Sequence, residues 1–189
     1  MKRSVVLVLW VCAGIAASAG EARAQMTFGT FKGYLTGHVG VVSGGDVTSE
    51  RMAAGASVGV YESNGWGAEI DFGRSTDVAT NTHPLSLTSY MVNAGWVKPN
   101  GLVRPFAGAG AGILQVDGCG FQCGSSTRTY DLGMSLGGGA FVAVTDYVGF
   151  RGDARYFFSF ADHPELGRPD HLSFWRLSVG ATFMWAIVP

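Results

Sequence analysis

Along residues 148–160 apolar and polar side chains alternate one by one. The even positions are Val148, Phe150, Gly152, Ala154, Tyr156, Phe158 and Phe160, while the odd ones include Arg151, Asp153 and Arg155. The same period governs 175–185. There Trp175, Leu177, Val179, Ala181, Phe183 and Trp185 alternate with Arg176, Ser178, Gly180 and Thr182. In 66–73, Trp66, Ala68, Ile70 and Phe72 alternate with Gly67, Glu69, Asp71 and Gly73. Successive side chains of a strand point to opposite faces, so a period of two is the signature of a strand with one greasy face and one polar face. This pattern makes the chain all-β, and it places charge on the side away from the greasy face.

The N-terminus obeys a different rule. Lys2 and Arg3 precede an apolar run from Val5 to Ala16, and Ala22-Arg23-Ala24 supplies the small-x-small pattern of a signal-peptidase site. The run is shorter than the roughly 20 residues a spanning helix needs. Residues 1–24 therefore read as a signal peptide, with a second cut conceivable after Ala19, and residues 25–189 as one domain. Val11 is too large to precede a lipoprotein cysteine at Cys12. With 13 basic and 14 acidic residues dispersed along the chain, there is no basic stripe, which argues against nucleic acid as a partner. The 29 glycines follow no G-x-y period, and a 47% hydrophobic content is too high for disorder.

Turn signals cut the mature sequence into eight expected strands: 28–42, 52–62, 66–74, 86–97, 103–116, 129–144, 148–160 and 172–185. A soluble sheet with its charged face in water would also alternate. The connections favour a membrane barrel. Ser63-Asn64-Gly65, Lys98-Pro99-Asn100-Gly101 and Thr145-Asp146-Tyr147 are tight. The intervening stretches 43–51, 75–85, 117–128 and 161–171 are long and polar. Short periplasmic turns alternating with long outer loops are the habit of outer-membrane barrels. Trp66, Trp96 and Trp185 fall at the short-turn ends of greasy faces and Trp175 at the opposite end, as an aromatic girdle requires. The fold expected is an eight-stranded antiparallel up-and-down transmembrane β-barrel. Gly108, Gly110 and Gly112 share one face, as do Gly133, Gly137 and Gly139, which lets a narrow barrel close around larger neighbours. A phosphate loop would need a following helix and a Lys-Ser/Thr pair, and neither is present.

Several segments resemble the small eight-stranded outer-membrane barrel superfamily, related to the OmpA and OmpX barrel domains. They are Trp66-Gly67-Ala68-Glu69-Ile70-Asp71-Phe72-Gly73, Tyr90-Met91-Val92-Asn93-Ala94-Gly95, Arg104-Pro105-Phe106-Ala107-Gly108-Ala109-Gly110-Ala111-Gly112 and Val148-Gly149-Phe150-Arg151-Gly152-Asp153-Ala154-Arg155-Tyr156. The resemblance spans the mature chain and is specific to architecture. It implies the bacterial outer membrane and a lipid surround, and the sequence leaves no room for the peptidoglycan-binding domain that follows the barrel in longer relatives. Ser178-x-Gly180-x-x-Phe183-x-Trp185 is similar to the assembly signal read by the outer-membrane insertion machinery, although the chain continues to Pro189.

Parity sends Glu69, Asp71, Asp131, Arg151, Asp153, Arg155 and Arg176 inward, with Arg104 and Lys32 nearer the periplasmic end. An eight-stranded interior is just filled by side chains, so unpaired charge there would be costly. The expectation is a lumen charge network that plugs the barrel; a gated pore is the sharper alternative. Cys119 and Cys123 lie in one outer stretch of an exported chain, which favours a disulfide over a zinc site. Asp162, His163, Glu165, Asp170 and His171 read as a solvated loop and not a metal site. His171-Leu172-Ser173 resembles the His-x-Ser pair of lipid A deacylases, but no carboxylate is evident beside it and strand 7 carries Ala154 and Tyr156 where the pair belongs. The function expected is therefore a monomeric, non-enzymatic outer-membrane protein without cofactor or metal, acting structurally or through its exposed loops. A lipid A-modifying enzyme and a narrow channel are the alternatives. A soluble ligand-binding barrel is disfavoured by its need for an apolar interior.

Overall fold

A computed structural model describes residues 31–80, 83–119, 126–160 and 171–187. The expected signal peptide, Cys123 and the acidic and histidine residues of 161–170 lie outside the described residues. The elements are β1 (Phe31–Gly44), β2 (Val47–Glu62), β3 (Trp66–Thr80), β4 (His83–Val97), β5 (Val103–Cys119), β6 (Ser126–Ala143), β7 (Val148–Ser159) and β8 (Ser173–Ile187). Each strand pairs with its neighbours in chain order, and β1 pairs antiparallel with β8 from Phe31↔Ile187 to Ser43↔Trp175, which closes the barrel. Closure removes the unpaired edges an open sheet would leave.

We call the end holding Ser63–Gly65 the turn end, and the opposite one the loop end. At the turn end Gly65 has φ +94° and donates its N–H to the Glu62 carbonyl at 2.9 Å, while Asn64 Oδ1 accepts from Trp66 N at 2.9 Å. A side chain at Gly65 would suffer both the left-handed backbone and the Trp96 indole beside it. Thr145 Oγ1 performs the equivalent service for β7, accepting from Val148 N at 3.0 Å.

The loop end differs from the expectation of four long loops. The first connection is a two-residue turn, Gly45-Asp46, closing on the pair Gly44↔Val47. Gly44 and Gly45 take φ +75° and +61°, which is what permits so tight a reversal. Strands β3 to β6 also run several residues past their expected ends. β4 pairs with β5 out to Leu85↔Gly118, and β5 with β6 out to Cys119↔Ser126. By contrast, β2 last meets β3 at Ala53↔Ser75, and β6 last meets β7 at Gly133↔Ser159. Among the described residues, four neighbouring strands thus stand as a tongue above the rest of the rim. Among the described residues, β6 from Ser126 to Leu132 has no strand on its far side; only Phe160 N reaches it, at the Leu132 carbonyl, 3.0 Å away.

The interior is layered. Toward the loop end Val42, Val47, Leu87, Met91, Leu114, Val116, Phe157, Leu172 and Phe174 pack together. Toward the turn end Tyr34, Tyr61, Val97, Phe141, Ala143 and Met184 form a second apolar cluster, with Phe106 against it. Buried polar and charged residues fill the middle.

Candidate functional site

The middle layer gathers side chains from β1 to β4 and from β6 to β8, while β5 faces it with glycines. Alternation alone aims Glu69 and Asp71 inward from β3, Arg151, Asp153 and Arg155 from β7, and Arg176 from β8. Glu69 is the hub. Its carboxylate takes Nη1 of Arg151, accepts from Arg155 Nη2 and Tyr34 Oη (2.7 Å), and lies 3.4 Å from Asn93 Nδ2. Asp153 Oδ2 bridges the same two arginines, at 3.0 Å from Arg151 Nη2 and 3.1 Å from Arg155 Nε, while its Oδ1 accepts from Ser178 Oγ at 2.9 Å. Two acids and two guanidinium groups thus share one compact cluster. Arg151 is further caged by aromatic faces, with its guanidinium carbon 4.5 Å from the Phe106 centroid and 5.1 Å from that of Phe141. Cations sit favourably over such faces once water is excluded.

Arg176 belongs to a second group. It reaches across the lumen to Asp71, Nη2 to Oδ1 at 2.7 Å, instead of joining the charges of β7 as its position on the adjacent strand suggests. His38 Nε2 lies 3.3 Å from the other oxygen of Asp71. The Phe157 ring covers the Arg176 guanidinium at 5.0 Å and is itself stacked on Phe174 at 4.9 Å. Asp131 is buried nearer the loop end, opposite Leu114. Nearer the turn end, Arg104 donates to Tyr61 Oη at 3.1 Å and Lys32 to the Pro99 carbonyl at 3.2 Å.

Inward glycines make room for these long side chains. A Cβ at Gly73 would lie 2.2 Å from Arg176 Nη1, and one at Gly137 2.5 Å from Arg155 Cγ. A row of four glycines, Gly67, Gly95, Gly108 and Gly137, runs across β3 to β6 and ends against Arg155. A cavity of about 50 Å³ lies there, between Glu69, Asn93, Gly108, Gly137 and Arg155. It has the volume of a few waters.

Sequence reasoning does not pick out Tyr34, His38, Ser57, Asn93 and Ser135, all buried in this layer. Their strands obey the same parity. The even positions of β1 and the odd positions of β2 and β4 contain all but Ser135, which the odd face of β6 supplies. At the loop end, Asp46 Oδ2 accepts from Ser173 N at 2.7 Å and from Ser173 Oγ at 3.1 Å. A carboxylate does stand beside Ser173, then, but the hydroxyl bonds to it directly, with no imidazole between. Among the described residues no three His, Cys, Asp or Glu side chains are placed to hold a metal ion.

The exterior carries the opposite chemistry. Leu35, Val39, Ile70, Val92, Leu136, Phe150 and Val179 are exposed around the barrel. Trp66 pairs in register with Trp96 at the turn end, and the Trp185 indole lies over Gly33 at the same end of the barrel. Trp175 stands near the loop end against Tyr156, centroids 5.1 Å apart. A soluble monomer does not expose a continuous apolar belt of this extent. Lipid requires it, and a closed barrel is one of only two backbones that leave no polar group unpaired there. The protein is therefore an integral β-barrel of the bacterial outer membrane, surrounded by lipid. The chain belongs to the family described as the outer membrane protein beta-barrel domain, whose model matches residues 5–183.

Solved structures share the fold. Neisserial surface protein A superimposes with a TM-score of 0.63 at 17% identity, covering 84% of this chain and 99% of that one. The N-terminal β-barrel domain of Pseudomonas aeruginosa OprF gives 0.56 at 13% identity, with 84% and 100% covered. Ail, the attachment invasion locus protein of Yersinia pestis, gives 0.53 at 19% identity, with 83% and 99% covered. No curated protein matches the sequence.

Proposed function

We propose that this protein is a non-enzymatic outer-membrane barrel, plugged by its own charge network, whose working surface is the tongue of hairpins at the loop end. The observation that carries the reading is the uneven rim. Strands β3 to β6 keep pairing well past the height where β2 and β7 leave them. A β-sheet raised out of lipid, whose edge from Ser126 to Asp131 meets no further strand among the described residues, can take an extended segment of a partner protein by strand addition. The similar barrel from Yersinia pestis is an attachment invasion locus protein, which supports an interactive role. The test is to shorten the β5–β6 hairpin by joining Val116 to Thr129 through a two-residue turn. Cells making the shortened barrel should lose attachment to surfaces, with heat-modifiable gel mobility retained. Undiminished attachment would remove the hairpin from the function.

The plug follows from pairing. Arg151, Arg155 and Arg176 are each tied to carboxylates, and apolar clusters lie above and below them. Planar bilayers holding the refolded protein should show no steady conductance; a stable open level would promote the channel reading. The enzyme reading has one observation in its favour, the Asp46 carboxylate at Ser173. Mass analysis of lipid A from cells making the protein tests it, since loss of an acyl chain that stops in Ser173→Ala would establish hydrolysis. We further propose that residues 1–24 are removed after Ala24, which N-terminal sequencing of the membrane form checks, and that the barrel is a monomer inserted by the outer-membrane assembly machinery.

A further inference from the structure

The outer wall changes character within one register step on β3 to β6. The outward row Phe72, Tyr90, Ile113 and Leu132 is apolar throughout. The next outward row toward the loop end is Arg74, Thr88, Gln115 and Tyr130, and beyond it Ser86, Asp117 and Arg128 are register partners. Such a switch marks where the hydrocarbon of a bilayer ends and its head groups begin.

We propose that this outward patch, with Arg74 and Arg128 at its sides, binds the phosphate groups of a phosphorylated lipid head group in the outer leaflet. The patch is packed and oriented as a loose surface charge would not be. Thr88 and Gln115 point outward by parity, yet are only 4% and 9% exposed. Asp117 holds Arg128 through Nε at 2.7 Å, which orients a guanidinium on a side chain that is 61% exposed. The other Asp117 oxygen accepts from Gln115 Nε2 at 2.7 Å. Both oxygens of the one acid in the patch are therefore engaged by donors, and its charge is offset before an anion arrives. Arg74, exposed on β3, supplies the second guanidinium. Guanidinium forks match phosphate oxygens, and the Phe72–Tyr90 ring pair just beneath, centroids 5.2 Å apart, offers the acyl chains a greasy wall. A lipid satisfies both halves of the patch; a soluble anion satisfies only one.

The full barrel in neutral detergent is offered bis-phosphorylated lipid A, its dephosphorylated form, or inorganic phosphate, and retention is read by native mass spectrometry. The wild type should keep the phosphorylated lipid. The double variant Arg74→Ala/Arg128→Ala should keep roughly tenfold less, and Arg74→Lys/Arg128→Lys an intermediate amount. Retention of the dephosphorylated lipid should be weak and the same in all three. Heat-modifiable mobility shows that each variant is folded. Equal retention of both lipid forms by the wild type, or undiminished retention by the alanine variant, overturns the site. Displacement of the lipid by an equal concentration of inorganic phosphate overturns the lipid as its occupant.

Discussion

Arg155 and Arg176 face each other in register across the β7–β8 seam, both buried. Like charges directly opposite on neighbouring strands destabilise a sheet. This pair is tolerated because the two guanidinium groups lean on different carboxylates. Arg155 goes to Glu69 and Asp153, and Arg176 goes to Asp71. The seam therefore depends on acids three strands or more away around the wall, on β3, for part of its neutrality.

Glu69 should be the most sensitive position. It is shared by Arg151 and Arg155, and its loss leaves Asp153 alone to serve two buried cations. Glu69→Ala should lower stability by about 3–5 kcal/mol, read as a fall in the unfolding midpoint of the refolded barrel. A midpoint equal to that of the wild type would mean that the cations find water or another acid.

Glycine substitutions should divide by face. At Gly73 a new Cβ meets Arg176 Nη1 at 2.2 Å, so Gly73→Ala pushes the guanidinium away from Asp71. A cost of about 1–3 kcal/mol is expected. At Gly152, on the outer wall, a Cβ meets nothing within 4 Å. Gly152→Ala should leave the same midpoint nearly unmoved, and matching losses at both sites would refute the interlocking of lumen side chains with inward glycines.

Asp46 ties the first turn to the start of β8 through Ser173 N. Asp46→Ala should cost about 1 kcal/mol locally, given the partial exposure of the bond. Amide exchange at Ser173 should accelerate while amides in mid-barrel keep their protection. Unchanged exchange at Ser173 would show that the turn holds without its carboxylate.

Cys119, the last residue of β5, and Cys123 beyond it are proposed to form a disulfide in the oxidising compartment. Thiol labelling of the unfolded, unreduced protein should mark neither, and labelling after reduction should mark both. Two labelled thiols before reduction would dispose of the bond.

The barrel is legible in the sequence because lipid on one side and a packed lumen on the other impose the period of two on every strand. The strand ends are not, and for the same reason. Above the hydrocarbon both faces can be polar, so the alternation dissolves at Ser75, Ser86 and Thr129 while the backbone goes on pairing. The first turn does carry a signal, Gly44-Gly45-Asp46, a tight-hairpin composition hidden within a polar stretch. The direction of each inward charge follows from parity, but its partner does not. Glu69 and Arg151 are separated by 82 positions, and nothing local in either segment points to the other. Which base crosses the lumen and which stays with its neighbour is decided by height along tilted strands, a quantity that needs the register of all eight.

The span between Glu69 and Arg151 has a consequence for the order of events during folding. The two sit on β3 and β7, which are not paired with each other and are brought face to face only when β1 meets β8. Until that last seam zips, the charges that meet across the lumen look for water, and a curled but open sheet sliding into hydrocarbon would have to drag that water along. The cheapest route keeps the inner face wet until closure and then wrings it dry in one step. Insertion and sealing are thereby made a single cooperative act, and a half-wrapped intermediate has no comfortable place to rest in the bilayer.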